Sequence, residues 1–254
     1  MKFAVLSDIH GNLEALEAVL EEIQCLDLDA VISLGDNIGY GPDSQAVVDL
    51  IRDREIESVL GNHEMALKRK SALAWFNPMA KQALAIARSQ LSDAAMDWIE
   101  RLPPVIIREG LRFVHGVPPA AMFLYLFQVP ENKLIQKLIQ SVESVCFVGH
   151  THDLGIISWD GHRLDTLKPS PGTHILDPAK KYIINAGSVG QPRDGTPEAK
   201  FLLYDTTARR LTVRAKEYPF EKTQGKIIAA GIPQLYADRL AMGAGPSGSK
   251  GTDK

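Results

Sequence analysis

The chain has 254 residues, 45% hydrophobic and 23% charged, with 28 Lys and Arg against 31 Asp and Glu for a net charge of −3. That length and balance describe a globular chain near the upper size of a single domain, with a sizeable core, and argue against disorder. The charge gives no overall attraction to nucleic acid or an anionic bilayer, no apolar run is long enough to span a membrane, and no long apolar segment of a secretory leader follows Lys2. The two cysteines, Cys25 and Cys146, sit in apolar contexts and read as buried thiols, which favours a reducing, cytoplasmic compartment.

Residues 3–6 form an apolar run too short for a helix and read as a buried strand, stopping just short of Asp8 and His10. Gly11 permits a tight turn there. A carboxylate oxygen beside an imidazole nitrogen suits Zn, Mn or Fe better than Ca or Mg. Asn12 can cap a helix over 13–24, with Leu13, Leu16, Leu20 and Ile23 inward and Glu14, Glu17, Glu21 and Glu22 facing water. A second strand, 30–34, ends at Gly35-Asp36. Strand, helix, strand at this spacing is a parallel pair, so Asp36 lands beside Asp8.

A Gly-rich loop at 37–42 leads into a second helix starting at Asp43 or Ser44, with Val47, Leu50 and Ile51 inward. A third strand, 56–60, runs into Gly61-Asn62-His63-Glu64. Residues 67–102 read as helical and broken at Pro78, with Leu84, Ile86, Leu91, Trp98 and Ile99 buried. Strands at 105–107 and 111–114 flank Glu109-Gly110, a hairpin signal, and the second stops at His115-Gly116. The apolar stretch 122–127 reads first as core, with a lid or a subunit contact as alternatives. A helix over 131–142 turns Leu134, Ile135, Leu138 and Ile139 to one face, and a strand at 145–148 ends in Gly149-His150-Thr151-His152. Further strands, mostly antiparallel, fall at 156–159, 162–167, 182–186, 201–205 and 211–217, followed by helices at 222–230 and 233–242. An α/β first half and a β-rich second half imply two sheets face to face with helices outside, in one domain over 1–242. Residues 243–254 are Gly/Ser-rich and read as a flexible tail.

Five strands thus end on Asp8/His10, Asp36, Asn62/His63, His115 and His150/His152. In open α/β sheets, sites form outside the carboxyl ends of the strands, so these side chains converge. Taken singly, Asp36 is a turn carboxylate, Asn62 a turn residue and His115 a satisfied rim histidine. Taken together they are a metal centre.

The set DIHGN, GDNIGYGP, GNHE, HG and GHTH resembles the calcineurin-like metallophosphoesterase superfamily in order and spacing. NAGSVGQPRDG at 185–195 is similar to the strand and loop that close many of its bacterial members. The resemblance covers roughly 1–242 and implies an α/β fold, a four-layer αββα sandwich with two mixed β-sheets. It implies a first divalent ion on Asp8, His10 and His152, a second on Asn62, His115 and His150, and Asp36 bridging them. Manganese is the first expectation, with iron, zinc or nickel as alternatives. His63 is implied to be no ligand but a group over the site, protonating the leaving alkoxide, or else a histidine holding a ligand. The implied activity is hydrolysis of a phosphate ester by a metal-bridging hydroxide. A phosphodiesterase on small nucleotide-like substrates is preferred, a phosphomonoesterase or protein phosphatase is the alternative, and a non-catalytic scaffold of the same fold ranks below both. Two carboxylates and a neutral Asn62 leave such a centre net positive, as an anionic ester requires. No membrane and no basic stripe for nucleic acid is expected, and a homo-oligomer is left open. Arg193 either holds a non-scissile phosphate or pairs with Asp194. Asp153 and Glu64 either orient nearby histidines or face water, and Tyr40 is a candidate pocket wall. The sequence departs from the family pattern at Val117-Pro118-Pro119, at Asp153-Leu154 and at Ala186, sparing every candidate ligand but leaving the pocket wall undefined.

Overall fold

The first strand is covered on both sides, and this sets the architecture. In the computed structural model, which describes residues 1–243, β1 (Lys2–Leu6) sends Phe3 and Val5 into one apolar layer and Ala4 and Leu6 into another. Alternate side chains of a strand face opposite ways, so a run apolar at every position belongs to a strand buried on both faces. The chain continues through α1 (Leu13–Ile23), β2 (Ala30–Ser33), α2 (Ser44–Asp53), β3 (Glu57–Ser58), α3 (Asn62–Lys68), a 3-10 turn (Lys70–Trp75), α4 (Pro78–Gln90) and α5 (Asp93–Arg101). Next come β4 (Val105–Arg108), β5 (Leu111–Val114), α6 (Glu131–Gln140), β6 (Val145–Val148), β7 (Leu154–Trp159) and β8 (Leu164–Leu167). The last elements are β9 (Gly172–Ile175), β10 (Lys181–Ala186), β11 (Ala199–Asp205), β12 (Arg210–Lys216), α7 (Phe220–Ala229) and α8 (Gln234–Met242).

One sheet has the order β3-β2-β1-β11-β12-β9 and the other β4-β5-β6-β10-β7-β8. Both are mixed: β1, β2 and β3 run parallel, as do β5, β6 and β10, and the other pairs are antiparallel. Phe3, Phe113, Phe147 and Tyr204 pack between the sheets. Leu16, Val19, Val47 and Ile51 of α1 and α2 cover one outer face, and Leu134 and Leu138 of α6 cover the other against Cys146 and Val148. These are the four expected layers. The carboxyl ends of the parallel strands meet at one edge.

Several local features differ from expectation. The third strand pairs only at Glu57–Ser58, because beyond Val59 the chain turns away and Leu60 N donates to Pro103 O at 2.8 Å. Asn62 and His63 open a helix, fixed by Glu64, whose carboxylate accepts from Gly61 N at 3.1 Å. Pro78 starts α4 rather than breaking a helix, since the first helical residue needs no N–H, and Asn77 caps it. The strand expected from 162 begins at Leu164, because the Asp160 carboxylate holds His162 N and Arg163 N in a turn. The edge strand β9 was not foreseen, and α6 stops at Gln140, leaving Val142 exposed. Cys25 is exposed just past the end of α1, and only Cys146 is buried. The stretch 122–127 is not core: Leu124 and Phe127 are exposed, while Phe123 and Leu126 are only partly buried against neighbouring apolar clusters. Gly243 ends α8, and the expected tail from 244 lies outside the described residues. No helix among the described residues is long and apolar enough to cross a membrane.

Glu14 was expected to face water but is buried, because α7 returns over the start of α1. Its carboxylate accepts from Lys226 Nζ at 2.8 Å and Thr223 Oγ1 at 3.0 Å, with Lys222 Nζ at 3.1 Å. Burial works against the charge, but Lys226 and Lys222 outweigh it and hold the carboxyl below its ordinary 4.5. A depressed carboxyl contributes stability that is present above its unfolded value and is lost as pH falls through the folded one. Glu14→Gln should therefore cost about 1–2 kcal/mol at pH 7. That corresponds to a fall of roughly 5 °C in Tm. In thermal melts the gap to wild type should narrow as pH falls below the ordinary value of 4.5 and through the lower folded one; a gap that stays constant as the pH is lowered would assign the loss to something other than this charge.

Candidate metal centre

Tight backbone turns build the site. Eight non-glycine residues among those described have positive φ, and five of them are candidate ligands: Asp8 (52°), His10 (52°), Asp36 (53°), His150 (69°) and His152 (60°). Left-handed backbone costs energy in such residues and persists only where the surroundings enforce it. Here the loops enforce it on one another. Asp8 N donates to Gly35 O at 3.1 Å, His10 N to Asp36 O at 2.8 Å and Gly11 N to Asn37 O at 2.7 Å. His150 N donates to Asp8 Oδ2 at 3.0 Å, and Arg193 N to His152 O at 3.2 Å. A Cβ on Gly149 would collide with Ser7 Oγ and Asp8 Oδ2, so only glycine lets β6 approach β1 here.

All seven candidate ligands come together, buried at 7% exposure or less. Asp8, His10 and His152 offer atoms within 4.8 Å of one another, and so do Asp36, His115 and His150. His10 Nε2 lies 3.0 Å from His152 Nε2, and each is within 3.8 Å of Asp8 Oδ1. His115 Nε2 lies 2.8 Å from Asn62 Oδ1, 3.1 Å from His150 Nδ1 and 3.3 Å from Asp36 Oδ2. Ligands about 2.1 Å from one cation sit roughly 3–3.5 Å apart, so these spacings match shared ions.

His10 Nδ1 faces Ile38 O at 3.2 Å and His152 Nδ1 faces Gln191 O at 2.6 Å. A carbonyl only accepts, so each Nδ1 carries the proton and each neutral ring turns a lone pair on Nε2 toward the other. Burial holds both rings well below the ordinary imidazole value, so neither carries a second proton. Two lone pairs at 3.0 Å repel unless a cation lies between them. Asp8 Oδ1 points into the same space without a hydrogen-bond partner, while Asp8 Oδ2 is taken by Ser7 Oγ at 2.5 Å and His150 N. On the other side burial works to lower His115, but Asp36 and then Asp8 overcome it and raise the ring to about 9. That is a demand for positive charge which a cation would meet. The donor set fits divalent metal ions.

Asp36 sits between the clusters. Its Oδ2 is 3.9 Å from His10 Nε2 and 3.3 Å from His115 Nε2, and its Oδ1 accepts from His63 N at 2.8 Å. Burial opposes its charge, but His115 and His63 hold it well below the usual carboxylate range. His63 is buried with Nε2 3.9 Å from Asp36 Oδ2, and its atoms also fall within ligand distance of His10 and Asp36. Burial pulls its ring down to about 4, with Asp36 opposing.

Glu64 does not reach His63. Its carboxylate accepts from Asp36 N at 3.0 Å and Asn37 N at 2.7 Å, tying the Asp36 loop to α3. Asp153 faces outward to Lys168. Asp194 pairs with Lys200 at 3.2 Å, while the charge of Arg193 reaches His10, His63, His150 and His152. Tyr40 is a wall, with its ring 4.4 Å from His10 and 4.5 Å from His63. Sequence reasoning missed Tyr125, which stacks on His150 at 4.0 Å; Ser188, in the loop after β10, brings its Oγ to donate to Asp8 O at 2.7 Å. Tyr125 carries no signal in isolation, since it lies in the apolar stretch that reads first as core.

Comparison with known proteins points the same way. The model of the calcineurin-like phosphoesterase superfamily domain matches residues 1–209. An uncharacterized protein of Methanocaldococcus jannaschii is 34% identical over 246 residues, covering 94% of this chain and 97% of its own. Serine/threonine-protein phosphatase 1 of Salmonella typhimurium is 26% identical over 204 residues, covering 73% and 86%. The crystal structure of a metallophosphoesterase from Sphaerobacter thermophilus superposes with a TM-score of 0.83 at 35% identity, covering 96% of this chain and 99% of that one. The chain belongs to the calcineurin-like phosphoesterase superfamily and is a phosphoesterase.

Proposed function

We propose that the chain is a phosphodiesterase that cleaves small, nucleotide-like phosphate diesters at a two-ion centre. One observation carries the reading: Oδ2 of Asp36 lies between two buried ligand clusters. Asp8, His10 and His152 would hold one ion, Asn62, His115 and His150 would hold the other, and Asp36 would serve both. When bound, the pair supplies Lewis-acid charge to phosphoryl oxygens and makes a water acidic enough to attack at neutral pH. Manganese is preferred, with iron, zinc or nickel as alternatives, from the mixed imidazole and carboxylate set. His63 delivers a proton to the leaving oxygen, and Arg193 holds a non-bridging phosphate oxygen. Tyr40 and Tyr125 close the flanks. The free thiols Cys25 and Cys146 suit a reducing, cytoplasmic compartment.

A diester carries an organic group on each side of phosphorus. A groove of about 570 Å³ opens between α3 and the segment 120–124, lined by Met65, Arg69, Trp75, Met122 and Phe123 among others. Met65 shares α3 with His63, and Tyr125 follows the segment 120–124 directly. Trp75 and Phe123 stack at 5.7 Å, a flat apolar surface for a planar leaving group. A phosphatase is the second reading, favoured by the name of the Salmonella relative.

The test is hydrolysis of bis(p-nitrophenyl) phosphate against p-nitrophenyl phosphate by metal-stripped protein refilled with Mn, Fe, Zn, Ni or Mg. Diester turnover that depends on added metal and exceeds monoester turnover about tenfold or more is expected. Dominant monoester turnover would replace this reading with the phosphatase.

A further inference from the structure

His63 is a buried ring with little polar support. Among the described residues nothing hydrogen-bonds its Nδ1, and its Nε2 is 3.9 Å from the nearest carboxylate oxygen. A side chain that must aim a nitrogen within a few tenths of an ångström needs another restraint. Aromatic edges surround it: Tyr40 at 4.5 Å and 82°, Phe76 at 5.0 Å and 84°, and His10 at 4.6 Å and 66°. Gly39 closes the remaining side, since a Cβ there would strike His63 Nδ1. Tyr40 is itself clamped, 4.4 Å from His10 on one side and stacked on Tyr236 at 4.4 Å and 18° on the other.

Tyr236 comes from α8, at the far end of the chain and beyond residues 1–209 that match the family domain. It is 2% exposed and packs with Ile227 of α7. Helix α7 is pinned to the loop that carries His10. Thr223 Oγ1 donates to Asn12 Oδ1 at 3.1 Å, and Lys226 Nζ to Asp43 Oδ2 at 2.6 Å and to Glu14. A continuous line of contacts therefore runs from the C-terminal hairpin to the ring of His63.

We propose that Tyr236, acting through Tyr40, is a positioning residue for His63, so that the α7–α8 hairpin completes the active site. This rests on His63 acting at the leaving group. The experiment places Tyr236→Leu and Tyr236→Phe in the wild-type and His63→Ala backgrounds, on metal-loaded full-length protein. Substrates are bis(p-nitrophenyl) phosphate and diphenyl phosphate, whose phenoxide is the poorer leaving group. Tyr236→Leu should lower kcat on diphenyl phosphate about tenfold, with KM and metal content unchanged. Tyr236→Phe should restore it, because the ring and not the hydroxyl does the work. In the His63→Ala background Tyr236→Leu should cost nothing further. On metal-free protein the imidazole C–H signal of His63 should be sharp in wild type and Tyr236→Phe and broadened in Tyr236→Leu. Tyr236→Met, which keeps more bulk, carries the same comparison if the leucine variant does not fold. Equal losses in both backgrounds, or no loss while His63→Ala is impaired, would overturn the inference and leave the role of His63 standing. Full activity of His63→Ala on diphenyl phosphate would overturn both.

Discussion

Asp36→Ala should lower kcat/KM on bis(p-nitrophenyl) phosphate by about 10³-fold or more and leave the dialysed protein without either ion. Among the candidate ligands only Asp36 faces both clusters, with Oδ2 3.9 Å from His10 Nε2 and 3.3 Å from His115 Nε2. Removing it takes a negative charge from each ion at once. It also frees His63 N, which Asp36 Oδ1 holds at 2.8 Å, and places alanine at a φ of 53°. Aspartate and asparagine tolerate that backbone better than alanine does. Asp36→Asn therefore separates charge from loop geometry: it should fold as wild type does and still bind metal at least tenfold more weakly. The readout is metal per chain by elemental analysis after dialysis, beside activity. Two ions retained per chain in Asp36→Ala would refute the bridge.

The frame of the fold and the ligand cluster were legible for one reason. In β1 and β6 nearly every side chain is apolar and buried, so each strand declares itself, and each runs into residues with metal-ligand chemistry. What stayed hidden depends on contacts across long stretches of sequence. Glu14 reads as solvent-facing by helical periodicity, yet a helix more than 200 residues later covers it. Glu64 follows His63 directly and invites a pairing, but neighbouring helical side chains point about 100° apart, and its carboxylate turns instead to Asp36 N and Asn37 N. The stretch 122–127 is apolar enough for core, yet it half-covers an edge of the site, where Tyr125 meets His150. Tyr236 has no local signature at all, because its meaning lies in the ring of Tyr40.

His63→Ala should lower turnover of diphenyl phosphate by about 10²–10⁴-fold while costing bis(p-nitrophenyl) phosphate roughly tenfold or less, with both ions retained. The difference follows from the leaving group. Nitrophenoxide departs without help, whereas phenoxide needs a proton as its bond to phosphorus breaks. Burial pulls the His63 ring down to about 4, so before substrate arrives it is neutral at pH 7. A phosphate anion beside the ring supplies the opposite charge that lets it take up a proton, so the acid forms where the leaving oxygen lies. The loss should accordingly fall on kcat rather than KM. His63 also sits within ligand distance of His10 and Asp36, and metal content decides between the two roles. An acid can be removed with two ions still bound per chain. If one ion leaves with the ring, His63 is a ligand, and the dependence on leaving group should vanish with it.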